Sequence, residues 1–77
     1  MKAMELDFDQ VYAAAQHMER TGGSFAASIA RALYVADSVN RTRLLSAFDD
    51  LFCKHYKEVR RDQRIAALDW NNDGDNE

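Results

Sequence analysis

The side chains with the most reactive chemistry in this chain are Cys53, His17 and His55. Cys53 and His55 are two positions apart, so a helix would place them on different faces. His17 is far away along the chain, and no pattern of carboxylates typical of a metal site surrounds it. We interpret Cys53 as a small, partly buried filler and His55 as a surface or boundary residue. The sequence therefore predicts no catalytic residue, no metal site and no cofactor.

Near the end of the chain, residues 69–74 match the opening of a calcium-binding EF-hand loop. They read DWNNDG, the pattern D-x-N-x-D-G, with oxygen ligands at alternate positions and glycine at the turn. The chain ends at Glu77, before the closing bidentate glutamate and the second helix of such a loop. We expect residues 71–77 to form a disordered acidic tail without a calcium site.

Basic side chains recur at intervals of three and four residues in the second half of the chain. They are Lys54, Lys57, Arg60, Arg61 and Arg64. On one side of a helix they could follow the phosphates of a nucleic acid. In the alternative interpretation they complement the helix dipole, and Glu58 and Asp62 pair with them within the helix. The net charge of −3 argues against nucleic acid, so nucleic-acid binding is the alternative and not the favoured hypothesis.

Length and composition narrow the class of protein. The 77 residues, 47% of them apolar, can form one small globular domain, which we place at residues 1–70. No apolar run approaches the roughly 20 residues of a membrane span, and the acidic N-terminus does not resemble a signal peptide. A single cysteine favours a reducing compartment such as the cytoplasm. The sequence has no glycine-rich phosphate loop and no paired carboxylates in a plausible cleft, so we expect no enzyme.

Two helix boundaries are marked near the start of the chain. Asp7 and Gln10 form a capping-box pattern, and apolar residues then recur at helical spacing, which predicts a helix over residues 8–20. Gly22 and Gly23 follow, at the position where a left-handed residue ends a helix. Ser24 is then the expected N-cap of a second helix. The sequence predicts a helical hairpin whose two arms pack antiparallel.

The second half of the chain predicts one or two further helices. Asn40 is the expected N-cap of a third helix that starts near Arg41. Asp49 and Asp50 either cap a fourth helix or lie on the solvent side of one continuous helix, and the sequence leaves this open. The expected fold is all-α, a small bundle of three to four short helices with a disordered acidic C-terminal tail. Its predicted core consists of Phe8, Val11, Phe25, Ile29, Leu33, Leu44, Phe48, Leu51 and Phe52.

Residues 17–56 resemble a known group of proteins. The matching stretches read MERTGGSFA at 18–26, IARA at 29–32, ADS at 36–38, NR at 40–41 and LLSAF at 44–48. They resemble small uncharacterised helical proteins encoded by tailed bacteriophages and prophages. In that group a proline is common after the position of Phe48, where this chain has Asp49. The resemblance implies a phage-derived accessory protein in the cytoplasm of a bacterial host, and it brings no established activity.

The hypothesis that we favour is a non-enzymatic phage accessory protein that binds and modulates or inhibits a bacterial host protein. Such a target would be a defence complex or a transcription or replication factor. Exposed aromatic and acidic side chains would form its protein-binding surface, and the candidates are Tyr34, Asp49, Asp50 and Trp70. Tyr34 and Trp70 would alternatively pack back against neighbouring helices. Two further hypotheses are a small nucleic-acid-binding regulator that uses the basic residues and a homodimeric structural module.

Overall fold

The computed structural model of the protein describes the backbone of residues 1–75 and the side chains of residues 1–66. Its elements are a short 3-10 helix at Ala3–Glu5 followed by α1 (Phe8–Thr21), α2 (Gly23–Val35), α3 (Ser38–Ala47) and α4 (Asp49–Asp75). The described chain contains no strand, so the all-α prediction is confirmed. None of its helices is both long enough and apolar enough to cross a membrane. The predicted tail, residues 71–77, lies outside the part whose side chains are described.

The start of α1 confirms the predicted capping box. The Asp7 carboxylate accepts the backbone N–H of Gln10 at 2.8 Å, and the Gln10 side-chain oxygen accepts the backbone N–H of Asp7 at 2.9 Å. Leu6 and Val11, which flank the box, both pack in the core. These bonds satisfy N–H groups that the first turn of a helix leaves without partners, and they set the direction in which α1 leaves the preceding turn.

The turn between α1 and α2 is tighter than predicted. Gly22 is both the C-cap of α1 and the N-cap of α2, with a right-handed φ of −89°, and Gly23 is the glycine with a positive φ, 81°. The predicted N-cap role of Ser24 is wrong, because the chain turns within one residue and Ser24 already lies inside α2. A side chain at position 22 would clash with its neighbours, because an added Cβ would lie 2.5 Å from Ala26 Cβ and 2.6 Å from the Met18 carbonyl oxygen.

The start of α3 lies three residues before the predicted one. Asp37 is its N-cap and not Asn40, because the Asp37 carboxylate accepts the backbone N–H of Asn40 at 2.8 Å. The helix ends at Ala47, and its C-cap Phe48 has a φ of −116° and a ψ of 37°, outside the helical region. Asp49 then begins α4, so α3 and α4 are two separate helices and not one continuous helix, which the sequence had left open.

Helix α1 packs against both α2 and α4. The contacts in the hairpin join Tyr12 to Tyr34 and Glu19 to Arg31. Their order reverses between the two helices, so α1 and α2 are antiparallel, as predicted. The contacts with α4 join Gln10 to Tyr56 and His17 to both His55 and Asp62.

The core lies where α1 contacts α2 and α4, and small side chains form much of it. Phe52 and Met18 are its largest fully buried side chains. The other buried members are Ala3, Val11, Ala14, Ala15, Ala26, Ala30, Leu33, Leu45, Cys53 and Tyr56. The predicted core residues that are buried or partly buried here are Val11, Ile29, Leu33, Leu44, Phe48, Leu51 and Phe52.

Two predicted core residues lie on the surface instead. Phe8 is 56% exposed and Phe25 is 63% exposed. The buried face of α2 passes through Ala26 and Ala30, about one position away from the predicted face. Small side chains let α1 and α2 approach closely, whereas a phenylalanine between them would hold them apart. Phe8 stays outside and packs on the Tyr12 ring at a centroid distance of 4.7 Å.

Candidate functional site

Two histidines meet in the buried contact between α1 and α4. His17 lies in the last turns of α1 and His55 in the second turn of α4, and the two residues are only 6% and 4% exposed. Their Nδ1 atoms are 2.8 Å apart. At that distance one ring donates its Nδ1 proton and the other accepts it. The two Nδ1 atoms therefore cannot both carry a proton while the contact exists.

The end of α1 forms the wall beside this histidine pair. The Thr21 hydroxyl lies 3.2 Å from His17 Nδ1 and donates a hydrogen bond to the His17 carbonyl oxygen at 3.0 Å. A Cβ at Gly22 would lie 3.3 Å from His55 Cε1. The glycine that allows the tight turn thus also leaves room for the His55 ring.

Two carboxylates of α4 face the histidine pair. Glu58 Oε2 lies 3.6 Å from His17 Nδ1 and 3.9 Å from His55 Nδ1, and Asp62 Oδ2 lies 3.7 Å from His17 Nε2. Burial lowers the pKa of His55; the nearby Glu58 carboxylate opposes this change, and the His17 and Lys54 side chains reinforce it. We call His17, His55, Glu58 and Asp62 the histidine cluster.

The interpretation of His55 as a surface or boundary residue is wrong, because its side chain is buried. A signal for this was present in the sequence. His55 follows Phe52 by three positions and precedes Val59 by four, which is the spacing of one helix face. The partner was harder to find, since His17 and His55 are 38 residues apart and only the packing of α1 against α4 joins them.

The five predicted basic residues all lie on the surface of α4. They are Lys54, Lys57, Arg60, Arg61 and Arg64, which we call the basic stripe, and the last four line one shallow depression together with Met1. No salt bridge among residues 1–66 involves any of the five. The intrahelical pairing considered for Glu58 and Asp62 is therefore not formed there, because both carboxylates face His17 instead.

Tyr34, the first of the predicted protein-binding residues, packs within the hairpin. Its hydroxyl donates to the Glu19 carboxylate at 2.8 Å, and its ring stacks on Tyr12 at a centroid distance of 5.3 Å. Burial, together with the Glu19 carboxylate, raises the pKa of Tyr34 to about 12. This arrangement matches the alternative interpretation in which Tyr34 packs against a neighbouring helix.

The two acidic residues predicted for protein binding differ in exposure. Asp49 is half-buried and accepts the backbone N–H of Ala3, whereas its neighbour Asp50 is exposed at the start of α4. Cys53 lies one turn after Asp49 and is buried, in line with its interpretation as a filler, and burial raises the pKa of its thiol. The fourth predicted residue, Trp70, has a side chain outside the described residues. Among the described residues, Tyr34 packs on α1 whereas Asp49 and Asp50 lie at the start of α4, so these three do not form one surface.

An apolar groove lies between α2 and α3. We call it the α2–α3 groove, and its lining residues are Ala32, Val35, Ala36, Asn40, Arg43, Leu44 and Ala47. Its volume is about 440 Å³. Val35 is 86% exposed and Val39, at the start of α3, is 59% exposed. Sequence reasoning did not find the groove, because the groove depends on the angle at which α3 leaves the hairpin.

Comparisons with protein-family models, with curated proteins and with solved structures find no match to this chain. The resemblance of residues 17–56 to proteins of tailed phages and prophages therefore stays a prediction. The histidine cluster, the basic stripe and the α2–α3 groove are the features of the described residues that bear on function.

Proposed function

We propose that the protein is a non-enzymatic binding protein whose docking surface is the α2–α3 groove. The observation that carries the proposal is the exposure of Val35, which lines the groove and is 86% exposed. Isolated apolar residues are normal on protein surfaces, but Val35 belongs to a groove whose lining is mostly alanine, valine and leucine. Apolar surface gathered in a concave site favours association with another protein.

The groove fits an amphipathic helix of the partner protein. Its alanines, at positions 32, 36 and 47, let a helix backbone approach closely, while Val35 and Leu44 offer larger apolar contacts. Arg43 is the one charged residue among those that line the groove in the described structure. A partner helix with apolar anchors and an acidic side chain beside them would complement both features.

In this proposal the partner is a protein of a bacterial host cell and the chain is a phage-derived accessory protein of its cytoplasm. That part rests on the sequence resemblance alone. It gives the docking surface a biological setting: a small helical protein can modulate or inhibit a host complex by occupying the place of one of the complex's own helices.

The basic stripe favours a second candidate function, binding of nucleic acid. Five exposed cations lie along α4, and none of them is neutralised by a carboxylate within residues 1–66. Such a row can follow a phosphate backbone. We rank this candidate second, because the net charge of −3 opposes approach to a polyanion.

The experiment compares capture by the parent and by surface variants from nuclease-treated bacterial lysate, followed by affinity measurements with the purified captured protein. Val35→Glu places a charge in the groove, and Arg43→Glu reverses the charge offered to an acidic helix. Ile65→Glu is the matched control, since Ile65 is an apolar residue of α4 that is 48% exposed. We expect each groove variant to weaken binding at least tenfold and the control to leave it unchanged.

Each other outcome has a defined meaning. Binding that is unaffected by both groove variants would contradict the proposal. A parent that is dimeric in solution and becomes monomeric in Val35→Glu would show that a second copy occupies the groove. Two results together would establish the second candidate instead. Nuclease treatment would remove the captured partners, and the parent would bind nucleic acid with a salt-sensitive affinity that Lys57→Glu with Arg61→Glu abolishes.

A further inference from the structure

The ligand atoms of the histidine cluster have the spacing of a metal site. His17 Nδ1, His55 Nδ1 and Glu58 Oε2 form a triangle with sides of 2.8, 3.6 and 3.9 Å. From these sides, a circle through the three atoms has a radius of about 2.0 Å. Zinc lies about 2.0–2.1 Å from histidine nitrogen and about 2.0–2.2 Å from carboxylate oxygen. By distance, a single ion at the centre of this circle would therefore lie within bonding reach of all three atoms.

We propose that His17, His55 and Glu58 bind one zinc-type divalent transition-metal ion, which links α1 to α4. Imidazole nitrogen with one carboxylate is a donor set that suits zinc, cobalt, nickel or copper, whereas calcium and magnesium prefer oxygen ligands alone. The site differs from the acidic segment at residues 69–74, where only oxygen donors are present. Three protein ligands leave a fourth position for water, and the Glu58 side chain, 38% exposed, lies on the solvent side.

The metal ion would take the place of the proton that lies between the two Nδ1 atoms. In the metal-free protein one Nδ1 carries a proton and the other accepts it. Metal binding needs both Nδ1 lone pairs, so with neutral rings the shared proton leaves Nδ1 and each ring carries its proton on Nε2. The Asp62 carboxylate lies 3.7 Å from His17 Nε2 and favours that form of the ring. A carboxylate beside the outer nitrogen commonly orients a metal-binding histidine.

Two nearby groups are not ligands of this site. The Cys53 thiol donates to the Met1 carbonyl oxygen at 3.5 Å and lies 3.8 Å from an Asp49 oxygen, so it is engaged at the other end of the α1–α4 contact. The Thr21 hydroxyl lies near His17 Nδ1 but also donates to the backbone of α1. Cys53→Ser is therefore a variant in which metal binding should persist.

The test is titration of the untagged protein with zinc chloride at pH 7.5, followed by calorimetry and by thermal unfolding. A histidine tag would itself bind zinc, so it must be absent. We expect saturable binding of one ion per chain and a rise in Tm, since an ion that binds only the folded state stabilises it. Calcium and magnesium at the same concentrations should leave Tm unchanged. Zinc binding that does not saturate at millimolar concentration would overturn the proposal.

Variants then locate the ion. Glu58→Gln removes one ligand at nearly constant shape and should lower zinc affinity at least tenfold, whereas Glu5→Gln, the same change at an exposed residue of the N-terminal 3-10 helix, should not. Equal affinities for parent and Glu58→Gln would overturn the assignment, as would loss of binding in Cys53→Ser.

A measurement on the parent avoids any variant that fails to fold. The ring nitrogens of both histidines can be followed by nuclear magnetic resonance while zinc is added. We expect the Nδ1 signals of His17 and His55 to shift together and to reach their end points at one equivalent of zinc. Signals that stay fixed while zinc binds would place the ion elsewhere and reject this site.

Discussion

Between α1 and α4 the chain buries two histidines, whereas between α2 and α3 it leaves two valines exposed. His17 and His55 are 6% and 4% exposed, while Val35 and Val39 are 86% and 59% exposed. The polar pair is tolerated inside because the two ring nitrogens bond to each other at 2.8 Å. No comparable contact removes the two valines from solvent within the described chain.

The contrast shows that helix packing, and not side-chain polarity alone, decides burial in this protein. Alanines at 14, 15, 26 and 30 are buried in the core of the α1–α2 hairpin, while Phe25 and Val35 of α2 lie on the surface. Helix α4 adds the larger Phe52 and Tyr56 to the core and the His55 ring to the histidine pair.

The largest effect that tests this comparison is expected from the core of the α1–α4 contact. Phe52 is fully buried, so Phe52→Ala should lower the free energy of unfolding by about 3–5 kcal/mol. Phe25→Ala is the matched control. Phe25 is 63% exposed and touches Phe48 at its edge, so its loss should cost no more than about 1 kcal/mol. Urea unfolding measures both values, and equal losses would contradict the observed phase of α2.

The next effect is expected at the turn between α1 and α2. A Cβ at Gly22 would approach Ala26 Cβ to 2.5 Å, so Gly22→Ala should cost about 1–3 kcal/mol through overpacking. Gly23 has no heavy atom within 4 Å of an added Cβ, and only its φ of 81° opposes a side chain. Gly23→Ala should therefore cost about 1–2 kcal/mol, the strain of a left-handed residue.

The ring signals of His55, followed by nuclear magnetic resonance, distinguish the two glycine variants. The Gly22 variant should also shift the His55 ring signals, because its Cβ would lie 3.3 Å from His55 Cε1, whereas the Gly23 variant should leave them in place. An unchanged His55 signal in a destabilised Gly22→Ala protein would mean that the turn and the histidine pair are independent.

Local signals in the sequence were sufficient for much of the fold. The Asp7 capping box and the glycine turn act within a few residues, and they gave the start of α1 at Phe8 and its end to within one residue. Ser24 and Asn40 were wrong because Gly22 and Asp37 occupy the capping positions first. Several residues near a helix start have capping chemistry, and only the path of the backbone selects one of them.

The candidate sites were less accessible to sequence reasoning, because each depends on how helices are placed. The histidine cluster needs the packing of α1 against α4, and the α2–α3 groove needs the break at Asp37. The basic stripe was found because it lies along a single helix. Spacing within one element is visible in a sequence, whereas the angle between elements is not.

A smaller effect on the free energy of unfolding is expected from a change in pH. It tests the α1–α4 contact, because the buried His55 ring lies there. Burial lowers the pKa of His55 in the folded protein, so between that value and the unfolded value of 6.5 the unfolded chain binds more protons. The free energy of unfolding should therefore fall as pH decreases below about 6.5. We expect a smaller loss than in Phe52→Ala, because the Glu58 carboxylate partly offsets burial.

Urea unfolding between pH 7.5 and 5 measures this dependence. In His55→Gln the slope of stability against pH should become shallower over this range, while Val35→Ser should keep the parent's slope. A parent whose stability rises as pH falls from 6.5 would contradict the buried, neutral state of His55.

The smallest effect on stability is expected at the groove. Val35 is the last residue of α2 and is 86% exposed, so Val35→Ser removes almost no buried apolar surface. Valine and serine also have similar helix propensities, and the free energy of unfolding should change by less than about 0.5 kcal/mol. A loss of more than about 2 kcal/mol would mean that another molecule contacts Val35 and shields it from solvent.

If that molecule were a second copy of this chain, the loss would depend on protein concentration, because dimerisation stabilises the folded chain by mass action. A stable Val35→Ser variant with weakened partner binding would instead show that the groove contributes to binding while the α1–α4 contact maintains the fold.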